Sequence, residues 1–212
     1  MRERLKTFGG EMKYIGYFLA HPFKAFWEIK TENTGSVASA TFLFILLLIS
    51  STLKGVYSGY IFNPQNGAFF PVLKNLLVYI LVFFVYCIAN WCLTCLFDGE
   101  GTFKDIFKAT AYAVIPMIAA YIIVTPLSNV LSLREAAFYT VILNLSYVWT
   151  GILIFISNAV THNYTFFKTL LMLVCIAVGM AVIFYIGLLF VNLLNLMTGF
   201  AEALVKEIVN RN

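Results

Sequence analysis

Between Lys168 and Glu202 the chain carries no charged side chain, and four similar stretches precede it, between Glu32 and Lys54, Lys74 and Lys104, Lys108 and Arg134, and Glu135 and His162. The second is broken only by the acids of a short bend, Asp98 and Glu100. Each stretch is as long as the roughly 20 residues that cross hydrocarbon. Backbone in lipid must satisfy its own hydrogen bonds, which leaves helices or a closed barrel. A barrel requires alternation of period two, and none is present. With 61% hydrophobic and 11% charged residues, against about 25% charged in soluble domains, no segment remains to build a water-soluble core. The expected fold class is all-α, a polytopic transmembrane bundle of five helices with cores near 37–57, 73–96, 107–130, 136–160 and 169–194.

Residues 1–36 read as an interfacial amphipathic segment, 37–197 as the five-helix membrane domain and 198–212 as an amphipathic tail. In the first part, Leu5, Phe8, Met12, Ile15 and Leu19 recur at helical spacing, which suits a helix lying among headgroups. Pro22 fits the first position of a second short helix, with Phe23, Phe26 and Trp27 on one face and Glu28 and Lys30 toward water. Ser36 is placed to cap the first span. In the tail, Leu193, Met197, Phe200, Leu204 and Ile208 continue one stripe from the fifth span. No cleavable signal peptide is expected, because the basic N-terminal segment has no long apolar run. Between the first two spans, Gly59, Asn63, Pro64, Asn66, Gly67 and Pro71 mark a loop.

Orientation follows from Lys and Arg. An inside N-terminus puts Arg2, Arg4, Lys6, Lys13, Lys24, Lys30, Lys104, Lys108 and Lys168 in the cytoplasm and leaves Lys54, Lys74, Arg134, Lys206 and Arg211 outside. The C-terminus is then external.

The bend Asp98-Gly99-Glu100-Gly101-Thr102-Phe103-Lys104 has an echo at Tyr164-Thr165-Phe166-Phe167-Lys168. Both follow a polar turn, and both place a threonine to cap a helix and an aromatic and a lysine at the cytoplasmic headgroups. The pattern is first a device for restarting a helix. If it also carries function, it is as a docking surface for a partner, made by Asp98, Glu100, Phe103 and Lys104 with Phe23, Phe26 and Trp27. Pro116 and Pro126 remove hydrogen bonds from the third helix and predict kinks there. Asn90, Asn144 and Asn192 are expected to face protein, since an unpaired amide in lipid is costly.

His21-Pro22-Phe23 with Phe26 and Ile29-Lys30, the bend with Gly101-Thr102-Phe103, and then Tyr112-Ala113 and Pro116 occur in an order and spacing that resembles the Yip1-domain family of five-span membrane proteins. The resemblance covers nearly the whole chain and implies an N-in, C-out bundle without known enzymatic activity. Eukaryotic members of that family are associated with Rab GTPases through a longer N-terminal region. The short one here resembles bacterial members, some of them associated with ABC transporters as accessory subunits. That implies the bacterial cytoplasmic membrane, with a Golgi or endoplasmic reticulum membrane as the alternative.

The inventory of chemistry is thin. No ionisable side chain is expected at mid-membrane, where catalytic groups are costly and functional. His21 and His162 fall in loops and read as solvated side chains. Asp98, Glu100 and Asp105 lack the ligand spacing of a cation site. Cys92 and Cys95 form a C-x-x-C inside a span, with Cys87 and Cys175 elsewhere in apolar segments, and read as small buried hydrophobes. No catalytic residue, metal or cofactor is assigned, and no phosphate-binding loop is present to power transport. The functions left are a scaffold or accessory subunit for other membrane proteins, an ABC transporter among them. A small carrier or channel for neutral or lipid-like substrates is the alternative. The expected partners are the lipid bilayer and other membrane proteins or a second copy; nucleic acid is not expected.

Overall fold

The computed structural model describes residues 21–31, 35–63, 69–94 and 96–210. Its helices are α1 (Pro22–Thr31), α2 (Val37–Tyr57), α3 (Phe69–Thr94), α4 (Phe103–Ala113), α5 (Ile115–Leu127), α6 (Ala136–His162) and α7 (Phe166–Asn210), with a 3-10 turn at Leu133–Glu135. Five segments are long and apolar enough to cross a membrane: Val37–Tyr57, Pro71–Thr94, Phe103–Leu127, Leu133–His162 and Phe166–Ala203. The expected five-span all-α bundle is therefore present. The N-terminal stripe from Leu5 to Leu19 lies outside the described residues.

Helix α2 starts where expected, because the Ser39 amide donates to the Ser36 side chain at 3.1 Å. Its Ser39, Ala40, Leu43, Phe44, Leu47, Ser50 and Ser51 are buried at helical spacing. Ser50 and Ser51 donate to the carbonyls of Leu47 and Leu48, so their hydroxyls are satisfied within the helix rather than left bare in an apolar interior.

The third span is two helices. Pro116 has no N–H to offer the Tyr112 carbonyl, and its ring would crowd that group. The Val114 amide takes the Tyr112 carbonyl instead, with Val114 at φ −86° and ψ 3°. The Val114 carbonyl then receives Met117 and Ile118, at 3.1 and 3.2 Å, and restarts the helix as α5. Pro126 sits inside α5, next to its last residue, and separates no further element.

Helices α4 and α5 run through the middle of the molecule, packed against α2 and α6, with α3 beside α2 and α4. Tyr112, Tyr121, Ile106 and Leu153 are among the largest fully buried side chains there. The Phe44 and Phe83 rings meet at 4.4 Å. Tyr112 also donates to Ser39 Oγ at 3.1 Å, and a Cβ on Gly35 would stand 3.3 Å from its ring, so the start of α2 is seated on α4. Helix α7 lies outside this group, mainly along α3. It continues unbroken to Asn210, so residues 198–210 prolong the helix of the fifth span.

At the end of the bundle remote from α1, the loop after α2 locks onto the end of α5. The Gly59 amide donates to Ser128 Oγ at 2.9 Å, and the Asn129 amide group donates to the Tyr57 carbonyl at 2.8 Å. A Cβ on Gly59 would lie 2.4 Å from the Ser128 carbonyl oxygen, a backbone approach that only glycine allows.

Candidate functional site: two facing turns clasped by α1

The bend after α3 and the turn after α6 are built alike. Asp98 and Asn163 hold φ of 51° and 58°, the left-handed region that short polar side chains tolerate better than others. In each turn the next residue donates back five positions, Gly99 to the Thr94 carbonyl at 3.1 Å and Tyr164 to the Ala159 carbonyl at 2.9 Å. That bond closes a helix C-terminus. Each turn then starts a new helix. Thr102 does so with a reciprocal capping box, its side chain accepting from the Asp105 amide while Asp105 accepts from the Thr102 amide. Thr165 occupies the same position before α7, its carbonyl receiving the Thr169 amide.

The two turns pack against each other. A Cβ on Gly99 would stand 2.5 Å from Tyr164 Oη and 2.7 Å from His162 Nδ1, and one on Gly101 would stand 2.7 Å from Thr161 Cγ2. Both glycines are thus required by close approach. The imidazole stacks on the Tyr164 ring with centroids 5.2 Å apart, and the Lys168 ammonium lies 4.6 Å from the centroid of that ring. Burial, and after it the Asp98 carboxylate, pushes the Tyr164 phenol above its ordinary range and keeps it neutral.

Behind His162 a chain of neutral groups leads into the bundle. The Asn90 amide group donates to Asn158 Oδ1 at 2.7 Å, so the Asn90 oxygen faces the imidazole and receives Nε2 at 3.2 Å. Asn158 donates in turn to Tyr86 Oη at 2.6 Å and to the Ile154 carbonyl at 2.9 Å. Asn90, Asn158 and His162 are all buried. His162 Nδ1 and Tyr164 Oη are buried without a hydrogen-bond partner among the described residues. The network joins α3 to α6 through amides, phenols and one ring, sealed by glycine backbone. Its capacity is to fix geometry and hold a proton at Nε2.

Helix α1 lies across this assembly. Ala25, Phe26 and Ile29 are buried, and α1 contacts α6 and α4. Lys30 Nζ reaches Glu100 Oε2 at 3.2 Å and the Val160 carbonyl at 3.1 Å, a cation on the last turn of α6 where the helix dipole favours one. Lys108 pairs with Asp105 at 3.0 Å.

Of the residues expected to form a docking surface, Phe23, Trp27, Asp98, Glu100 and Lys104 are exposed and Phe103 is half-buried. Phe26 is 2% exposed and belongs to the core, because α1 uses that face to pack on the bundle. His162, expected to be solvated, is 1% exposed, since α6 runs two residues beyond its expected end and carries the ring into the interface with α3. Asn90 faces protein as expected, whereas Asn144 and Asn192 point away from the bundle. Asn158, the partner of Asn90, was not singled out. Its signal was a stripe of Ser146, Thr150, Ser157, Asn158 and Thr161 on an otherwise apolar helix, and all five are buried.

No curated protein and no solved structure matches the chain. Residues 16–194 match the Yip1 domain, from before α1 to within α7. The match covers most of a chain with five candidate spans, and the chain belongs to the Yip1-domain family of membrane proteins.

Proposed function

We propose that this protein is a non-enzymatic scaffold or accessory subunit that engages other membrane proteins at the α1 end of its bundle. One observation carries the reading. Lys30, tied to Glu100 and Val160, and the buried Ala25, Phe26 and Ile29 fix α1 on the bundle, while Phe23 and Trp27, 60% and 54% exposed, point outward at the end that also presents Asp98, Glu100 and Lys104. Exposed aromatic groups with polar residues at their edge fit the aromatic core and polar rim of a protein-binding patch. The internal network fits this role, since it holds the ends of α3 and α6 at fixed positions beneath the patch. On this reading the N-terminus and the patch are cytoplasmic.

An ABC transporter is a suitable partner class, because it brings the ATPase that this chain lacks. The test is purification of the full chain in mild detergent, with and without Phe23→Ala plus Trp27→Ala or Asp98→Asn plus Glu100→Gln, the asparagine keeping a residue that tolerates the left-handed turn. Co-purifying partners should fall several-fold while the thermal unfolding midpoint changes little. Undiminished capture by both double variants removes the patch from the mechanism.

A further inference from the structure

Asn144, like Asn192, is a polar side chain that the bundle leaves without a partner among the described residues. It is exposed, and it lies eight residues into a helix of 27. At about 1.5 Å per residue that is ~12 Å from the start of α6 and ~27 Å from its end, inside the candidate span Leu133–His162. Its neighbours on the outer face are Val141, Leu145 and Val148, each more than 60% exposed. The buried stripe of Leu143, Ser146, Thr150 and Leu153 runs along the opposite side. Two turns further on, at Gly151, nothing lies within 4 Å of where a Cβ would stand.

We infer that this face of α6 binds the same face of a second copy of the chain. An amide is both donor and acceptor, so two Asn144 side chains related by a two-fold axis along the membrane normal satisfy each other. The bilayer offers neither partner. Both copies share one membrane orientation, so the axis that pairs Asn144 with Asn144 also brings Gly151 opposite Gly151, where the backbones can approach closely. Val141 and Val148 fill the space between. Such an isologous contact closes as a dimer. It leaves the α1 end free, because Asn144 lies toward the opposite end of α6 from His162, and it stands whether or not the docking patch does.

The test uses the full chain, labelled once at its C-terminus and reconstituted in phosphatidylcholine vesicles over a range of protein-to-lipid ratios, with copies counted by single-molecule photobleaching. Two-step events should rise with density. Asn144→Leu should weaken association about tenfold, the order expected for an interhelical amide pair. Asn144→Gln should retain part of it, and Gly151→Leu should weaken it by holding the backbones apart. All three should leave the unfolding midpoint of the monomer unchanged, since Asn144 is exposed and nothing stands within 4 Å of a Cβ at Gly151. A chain that stays single at every density overturns the proposal, as does a dimer indifferent to Asn144→Leu.

Discussion

The third and fifth spans begin in the same way and end in opposite environments. Each follows a left-handed polar residue, a bond back five positions, and a threonine, an aromatic and a lysine. Yet 56% of the apolar stretch of the third span is buried, against 6% of the fifth. The turn sets where a helix starts; side-chain size sets what it can approach. The third span presents Ala109, Ala111, Ala113 and Ala120, all nearly inaccessible, and small residues let helices pack closely in lipid. The fifth carries Leu171, Val174, Val178 and Phe190, each at least half exposed, and comes close to α3 at Gly179, where a Cβ would lie 3.4 Å from Leu93.

The largest effect should come from breaking what the two spans share. Gly99→Val would drive methyl groups into Tyr164 and His162 and separate the facing turns, costing about 3 kcal/mol. Unfolding in mixed micelles with increasing dodecyl sulfate would measure it, and a loss under 1 kcal/mol would mean that the turns fold independently. The contrast itself is sharpened by one enlargement in each span. Ala113→Leu, at a site with no accessible surface, should destabilise by ~2 kcal/mol, and Val178→Leu, on the lipid face, should stay within ~0.5 kcal/mol. Equal losses would refute the assignment of inside and outside. The smallest change is expected from Lys30→Gln. Its partner Glu100 is 61% exposed, so the pair is worth about 0.5 kcal/mol or less, and proteolysis of α1 on intact vesicles would report its loosening better than a melt.

The sequence made the spans legible because charge is costly in hydrocarbon, so gaps between Lys, Arg, Asp and Glu mark helix lengths almost directly. Ser36, Thr102 and Pro116 were legible for a related reason. Capping and the missing proline N–H act within four residues, and so does sequence reading. Rotation of a span about its axis is a different quantity. Phe26 and Trp27 are neighbours with opposite fates, and Asn90 and Asn144 are the same residue type with opposite exposure. In a lipid-facing bundle both sides of a helix are apolar, so hydrophobic periodicity no longer points inward. The site suffered most, because the hydrogen bonds that join its helices link residues 68 to 130 positions apart.

Those separations also have a temporal meaning. Lys30 grips Glu100, 70 residues later, and the Val160 carbonyl, 130 residues later. At about 5–20 residues per second of synthesis, the second of these contacts lies on the order of ten seconds in the future when Lys30 is made. Helix α1 thus waits without its seat until the fourth span has been inserted. Helix α1 is therefore among the last parts to dock, and once docked it reports that four spans have been placed in register.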